Sequence, residues 1–85
     1  MNYYVYLLVS KHKNNLVSYV GYTNNLNRRL ILHNSSKGAK FTRGKKWTIA
    51  YKKMYKTKSI AMKEEFKLKH NQKRRRLIKS RLLPK

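Results

Sequence analysis

The sequence predicts an α+β fold: a small antiparallel three-stranded sheet flanked by helices, in the order β-β-α-β-α-α. Three observations carry this reading. Two aromatic and β-branched runs, "NYYVYLLV" (2–9) and "LVSYVGY" (16–22), are separated only by the polar "SKHKNN" (10–15), which is the pattern of a hairpin. A third run, "WTIAYKKMY" (47–55), opens with Trp47, Ile49 and Tyr51 alternating with Thr48 and Ala50. The segments between and after these runs have helical spacing and capping residues.

Each element follows in turn. After the hairpin, Thr23 is a plausible N-cap for a helix over about 24–33, with Leu26 and Leu30 four apart on its inner stripe and His33 near the same stripe. The basic loop "NSSKGAKFTRGKK" (34–46) carries two of the three glycines and leads into the third strand, where Trp47 reads as a core residue. A helix over about 58–70 follows, with Thr57 or Ser59 as its cap. Around it, at about 100° per residue, Ala61, Met62, Phe66 and Leu68 spread over one apolar arc that contains Glu65, while Glu64 falls on the other side with Lys63 and Lys67. A last, very basic helix, "QKRRRLIKSRLL" (72–83), has Leu77, Ile78, Leu82 and Leu83 on its apolar side. No repeat or linker interrupts the 85 residues, which are read as one domain, 1–85. A chain of this size buries only about 60–65% of the surface it exposes when unfolded, so the core is modest.

Charge is the strongest compositional signal. There are 23 Lys plus Arg against two acids, Glu64 and Glu65, for a formal net charge of +21. Such self-repulsion destabilises a compact state unless a polyanion relieves it, which points to nucleic acid as the partner. The absence of cysteine excludes disulfides, Cys-type zinc sites and thiol catalysis, and fits a reducing, cytoplasmic setting. "YYVYLLV" (3–9) is too short for a membrane span and lacks a basic flank, so neither an export signal nor a membrane anchor is expected.

"YVY" (4–6), "YVG" (19–21), Arg29 ten residues after Tyr19 and a glutamate in a later helix resemble, in order and spacing, the GIY-YIG nuclease domain. "HNSSKGAKFTRGKK" and "KEEFKLKHNQKRRRLI" are similar to the small stand-alone bacterial members. The chain departs from the family name at Tyr4, where the name has Gly, and at Val5 and Val20, where it has Ile. The resemblance implies a phosphodiester-hydrolysing endonuclease with one Glu-bound divalent ion, Mg²⁺ or Mn²⁺, assisted by tyrosines, an arginine and often a histidine. No small-molecule cofactor is implied.

The composition agrees with a single-ion scheme, because two-metal nucleases need several carboxylates and this chain has two acids in total. The candidate catalytic set is Tyr6, Tyr19, Arg29, His33 and Glu65. Tyr6 and Tyr19 lie on adjacent strands and could project from one face. A phenol is a poor base near neutrality, but nearby cationic charge can lower its pKa; the resemblance implies that one of the two is a general base and leaves open which. Arg29 offers a forked donor set for the scissile phosphate. His33 either orients water or a tyrosine or is a satisfied histidine at the core edge. Glu65 is selected as the metal ligand by the helix arc and by alignment through "EEFKLK"; the competing reading is a surface i,i+4 pair with Lys69. Gly21 either allows close approach of a phosphate or bends the strand. Lys37, Lys40, Arg43, Lys45 and Lys46 on the loop, Arg28 beside Arg29, and Lys73, Arg74 and Arg75 in the C-terminal block would hold a nucleic-acid backbone with little sequence readout.

The expected function is therefore a divalent-metal-dependent DNA endonuclease of low sequence specificity, selective for structures such as branched, nicked or single-stranded DNA, in repair or recombination. The alternatives are a non-catalytic DNA- or RNA-binding module on the same fold, and a basic amphipathic protein docking on anionic membranes through 72–83. The ordered set of Tyr6, Tyr19, Arg29 and Glu65 favours the enzyme, since binding alone requires none of them.

Overall fold

A computed structural model of the chain describes residues 2–13 and 15–81. The element order is β1 (Tyr3–His12), β2 (Asn15–Thr23), α1 (Leu26–Asn34), a single 3₁₀ turn (Lys40–Thr42), β3 (Thr48–Tyr55), α2 (Lys58–His70) and α3 (Gln72–Ser80). The three strands form one antiparallel sheet in the order β2-β1-β3, so the fold is α+β with the expected β-β-α-β-α-α succession. The hairpin strands run further into the polar turn than the apolar runs suggest, with the pairing carried out to His12 opposite Asn15.

β1 is central and buried on both faces, which explains its almost continuous apolar run. Val5 and Leu7 point to one face, where Val20, Ala61 and Leu68 complete a hydrocarbon core beneath α2, with Ile78 of α3 packed at its margin. Tyr6 and Leu8 point to the other face, where Leu26 of α1 and Trp47 cover them.

Four local expectations need correction. Thr23 is not the α1 cap: Asn25 is, its side chain accepting from Arg28 N–H, while Thr23 Oγ1, two residues earlier, accepts from Asn25 N–H. The alternation of Trp47, Ile49 and Tyr51 does not survive pairing. Leu7 faces Tyr51 but Leu8 faces Ile49, so a bulge at Ala50 sends Trp47 and Ile49 to the α1 face and Tyr51 to the α2 face. The broad apolar arc of α2 narrows to Ala61 and Leu68; Met62 and Phe66 are 49% and 62% exposed, because the helix touches the sheet along one narrow stripe. On α3, Leu77 is exposed and Ile78 packs inward, while Leu82 and Leu83 lie outside the described residues.

Candidate active site

The site assembles over β2, one of the two edge strands of the sheet. Tyr6 is paired with Gly21, and Tyr19 sits opposite Leu8, two residues along β1 from Tyr6, so both tyrosines project from the α1 face. The missing side chain at Gly21 has a direct use: a Cβ there would come within 2.6 Å of Tyr6 Cζ and closer still to its hydroxyl. The tyrosine therefore lies across the glycine, and close approach, rather than the strand's own bend, accounts for that residue.

α1 brings Arg29 and His33 over the two rings, one turn apart as their spacing requires. His33 is fully buried; its Nε2 lies 3.0 Å from the Tyr6 hydroxyl, and its ring stands 5.1 Å from that of Tyr19. Its other nitrogen, Nδ1, lies 2.9 Å from Thr42 Oγ1. The half-buried Arg29 is near enough for its charge to bear on both the Tyr6 hydroxyl and His33.

The electrostatics of the pair depart from expectation. Burial pushes the Tyr6 phenol above its ordinary 10.0, and outweighs the opposing pull of Arg29; the neighbouring Tyr19 and Glu65 raise it further. Burial, then the Arg29 charge, push His33 below its ordinary 6.5. Arg29 thus does not make Tyr6 a standing phenolate, because only 1% of the residue meets water and the low-dielectric surroundings penalise the anion more than one guanidinium repays. At neutral pH both groups rest uncharged.

Glu65 comes from α2, on the far face of the sheet from α1, yet its charge is felt at Tyr6. Lys69, one helical turn on, reaches the Glu65 carboxylate at 3.5 Å and lines a cavity of about 220 Å³ with Tyr19, Phe41 and Arg75. Glu65 thus makes the i,i+4 pair with Lys69 of the competing reading, with its side chain only 18% exposed. Glu64 is elsewhere, paired with Lys67 at 3.5 Å and lining a cavity with Tyr51, Tyr55 and Arg74 beneath the opposite face.

Among the described residues no group of three or more His, Cys, Asp or Glu side chains forms a metal cage. A divalent ion with one protein carboxylate still fits Glu65, since Mg²⁺ keeps several waters and takes substrate phosphate oxygens as ligands. The donor set is one partly exposed carboxylate beside a cavity edged by a phenol.

The basic residues separate by role. Arg28, Lys37, Lys40, Arg43, Lys46 and Lys73 are exposed. Lys45 is half-buried, its ammonium on Phe41 O at 3.3 Å and over the Phe41 ring. Arg75 turns to the cavity beside Tyr19, whereas Arg74 donates to Tyr51 Oη at 3.1 Å on the α2 face, away from the tyrosines.

The loop between α1 and β3 is more than a basic tether. Asn34 brackets Trp47, accepting from its N–H at 2.6 Å and donating to its carbonyl at 3.1 Å. Trp47 Nε1 donates to Thr42 O, Thr42 is fully buried, and a Cβ on Gly38 would stand within 2.9 Å of the His33 ring. Thr42, Gly38 and Asn34 are site-building residues that sequence reasoning missed; the signal available was a Gly and a Thr four residues apart beside a buried Trp, submerged in lysines.

Comparison with known proteins places this arrangement. The model of the GIY-YIG catalytic domain matches residues 2–79. The chain is 44% identical over 68 residues to the UPF0213 protein OB0043 of Oceanobacillus iheyensis, covering 79% of this chain and 76% of that one. It is 42% identical over 66 residues to the UPF0213 protein SAV0488 of Staphylococcus aureus, covering 74% and 80%. The solution NMR structure of the UPF0213 protein BH0048 from Bacillus halodurans matches with a TM-score of 0.50 at 34% identity, covering 96% of this chain and 85% of that one. No helix of the described residues is long and apolar enough to cross a membrane.

Proposed function

The chain belongs to the GIY-YIG catalytic domain family, and on that premise we propose that it is a divalent-metal-dependent endonuclease that hydrolyses DNA phosphodiester bonds with little sequence preference, selecting its substrate by structure, in repair or recombination. The observation that carries this reading is the convergence on one buried hydroxyl: Tyr6 Oη lies 3.0 Å from His33 Nε2 and within reach of the charges of Arg29 and Glu65. A binding module has no use for a phenol, an imidazole and a guanidinium linked in the interior.

The chemistry follows from the hydrogen bonds. Arg29 binds a non-bridging oxygen of the scissile phosphate and stabilises the charge that grows there. In doing so it withdraws a donor from Tyr6 and opens a lone pair of the phenol to the attacking water. Water's oxygen bonds to phosphorus as the bond to the leaving oxygen breaks. One proton passes from water to Tyr6 and one from Tyr6 to His33 Nε2, and the leaving oxygen takes a proton from solvent. Phenol and imidazole differ by about 3.5 pKa units in water, and burial widens the gap, so this transfer is uphill at rest and runs only in concert with attack. Tyr19, against both rings and on the open cavity, orients water or phosphate. Glu65 would hold the divalent ion, which supplies Lewis-acid polarisation of the phosphate. The exposed Lys37, Lys40, Arg43 and Lys46, with Arg28 and Lys73, grip the flanking backbone, and Arg75 lies nearer the reacting centre.

Labelled single-stranded, duplex and branched DNA, incubated with Mg²⁺ or with EDTA, tests the proposal. Cutting is expected only with metal, and Arg29→Ala and Glu65→Ala should each lower it roughly 10²- to 10³-fold, with Glu64→Ala close to wild type. Tight, salt-sensitive binding without cutting in any metal would establish the binding module instead.

A further inference from the structure

The hydrogen bonds of the α1 face run in one direction. Arg29, whose charge bears on Tyr6, carries donors and no acceptor, so it can take no hydrogen from the phenol. Tyr6 is 1% exposed, so its own hydrogen needs a protein acceptor, and His33 Nε2 stands 3.0 Å away. A neutral imidazole that accepts at Nε2 carries its hydrogen on Nδ1. That hydrogen points at Thr42 Oγ1, 2.9 Å off. Thr42 also accepts from Ala39 N–H at 3.1 Å and sends its own hydrogen to the Ala39 carbonyl at 2.8 Å. Every donor and acceptor is then used.

The reverse direction fails at one end. Were Thr42 to donate to Nδ1, Nε2–H would point at the Tyr6 oxygen. The buried phenolic hydrogen would then face only donors, at a cost of about 1–3 kcal/mol.

On the reading that Tyr6 relays the proton of the attacking water, we propose that Thr42 is a positioning residue: by accepting from His33 Nδ1–H, it holds the imidazole in the tautomer whose Nε2 receives the Tyr6 proton. An imidazole in a proton relay is commonly oriented by a carboxylate. This chain has no Asp, and its two Glu side chains are paired with lysines of α2. A threonine whose hydroxyl is locked to the backbone of Ala39 supplies the same orientation without charge. When His33 becomes a cation, both ring N–H groups keep acceptors, Tyr6 on one side and Thr42 on the other. Trp47 Nε1, 2.9 Å from Thr42 O, fixes Thr42 in turn. Gly38 lets the loop lie flat on the ring.

Long-range ¹H–¹⁵N spectra of the full chain test this without substrate, the His33 signals being identified by their loss in His33→Gln. The unsubstituted chain should show hydrogen on Nδ1 and a bare Nε2. Thr42→Val, which keeps the shape and removes the hydroxyl, should shift the hydrogen towards Nε2 and lower kcat on DNA roughly 10- to 100-fold with KM little changed. Thr42→Ser should retain both tautomer and rate. A wild-type imidazole protonated on Nε2 overturns the proposal, as does a Thr42→Val chain cutting at the wild-type rate or a Thr42→Ser chain as slow as Thr42→Val. If Thr42→Val does not fold, the wild-type spectrum and Thr42→Ser decide. An unsubstituted chain that cuts no DNA in any metal sinks the nuclease reading and the catalytic role with it; that failure is told apart because the tautomer is read on the free protein.

Discussion

Along β1, Val5 and Leu7 turn to α2 and meet Ala61 and Leu68, while Tyr6 and Leu8 turn to α1 and meet His33, Trp47 and Thr42. Successive residues of one strand thus enter two different interiors. The α2 face buries hydrocarbon, with polar contacts such as Arg74–Tyr51 at its margin. The α1 face buries a phenol, an imidazole and a hydroxyl, each acceptable only because its partner is in place. A change on the first face should alter how much protein is folded. A change on the second should alter what the folded protein does. Glu65 joins the two, since it stands on the packing helix while its charge bears on Tyr6.

The sharpest division comes from truncating Leu7, which is fully buried against the α2 face. Leu7→Ala should cost about 2–5 kcal/mol of unfolding free energy, measured by urea denaturation, while kcat per folded molecule stays at the wild-type value. A fall in kcat under conditions where the variant is fully folded would mean that the faces are not separable.

Gly21→Ala is the converse experiment. The added methyl meets the Tyr6 ring, which is walled in and has no room to retreat. Displacing the hydroxyl by even an ångström should lower kcat about 100-fold, or about 2.7 kcal/mol of transition-state stabilisation. Wild-type turnover in this variant would remove Tyr6 from the mechanism.

The smallest effect is the pH dependence of stability, whose acid limb belongs to the α1 face. His33 titrates below 6.5 in the native chain, so as pH falls through that value the unfolded chain binds more protons than the native one, and stability declines. Burial holds both Tyr6 and, on the α2 face, Tyr55 above 10.0 in the native chain, so above that pH the unfolded chain loses those protons first and stability declines again. With only two carboxylates in the chain, acid loss of ion pairs contributes little. Urea midpoints followed from pH 4 to 11 should therefore show a plateau between about 6.5 and 10, and His33→Gln should flatten its acid limb. An acid limb unchanged in that variant would assign it to other groups.

How far the site could be read from sequence depends on the range of the interaction. Arg29 and His33 are four residues apart, and helical geometry alone places them together. Tyr6 and Tyr19 share a face because the hairpin pairs Tyr6 with Gly21 and Leu8 with Tyr19, a register that a two-residue periodicity specifies once the turn is known. The bulge at Ala50 could not be read that way. It is decided by how β3 must pass β1 to bury Trp47 on one face and Tyr51 on the other. Thr42 was equally silent, since a threonine among lysines becomes a proton-chain member only when a loop folds it against an imidazole nine residues back.

The sequence by itself determined the fold class, the order of elements and the strongly basic charge, because strand alternation, helical spacing and net charge are local or additive properties of the chain, and the order and spacing of its motifs marked the family. Only the tertiary structure decided the direction of the hydrogen-bond chain, the resting protonation of Tyr6 and the reach of the Glu65 charge to that tyrosine. Those depend on burial and on which groups meet through space, and a polar side chain takes its chemistry from the partners that burial leaves it.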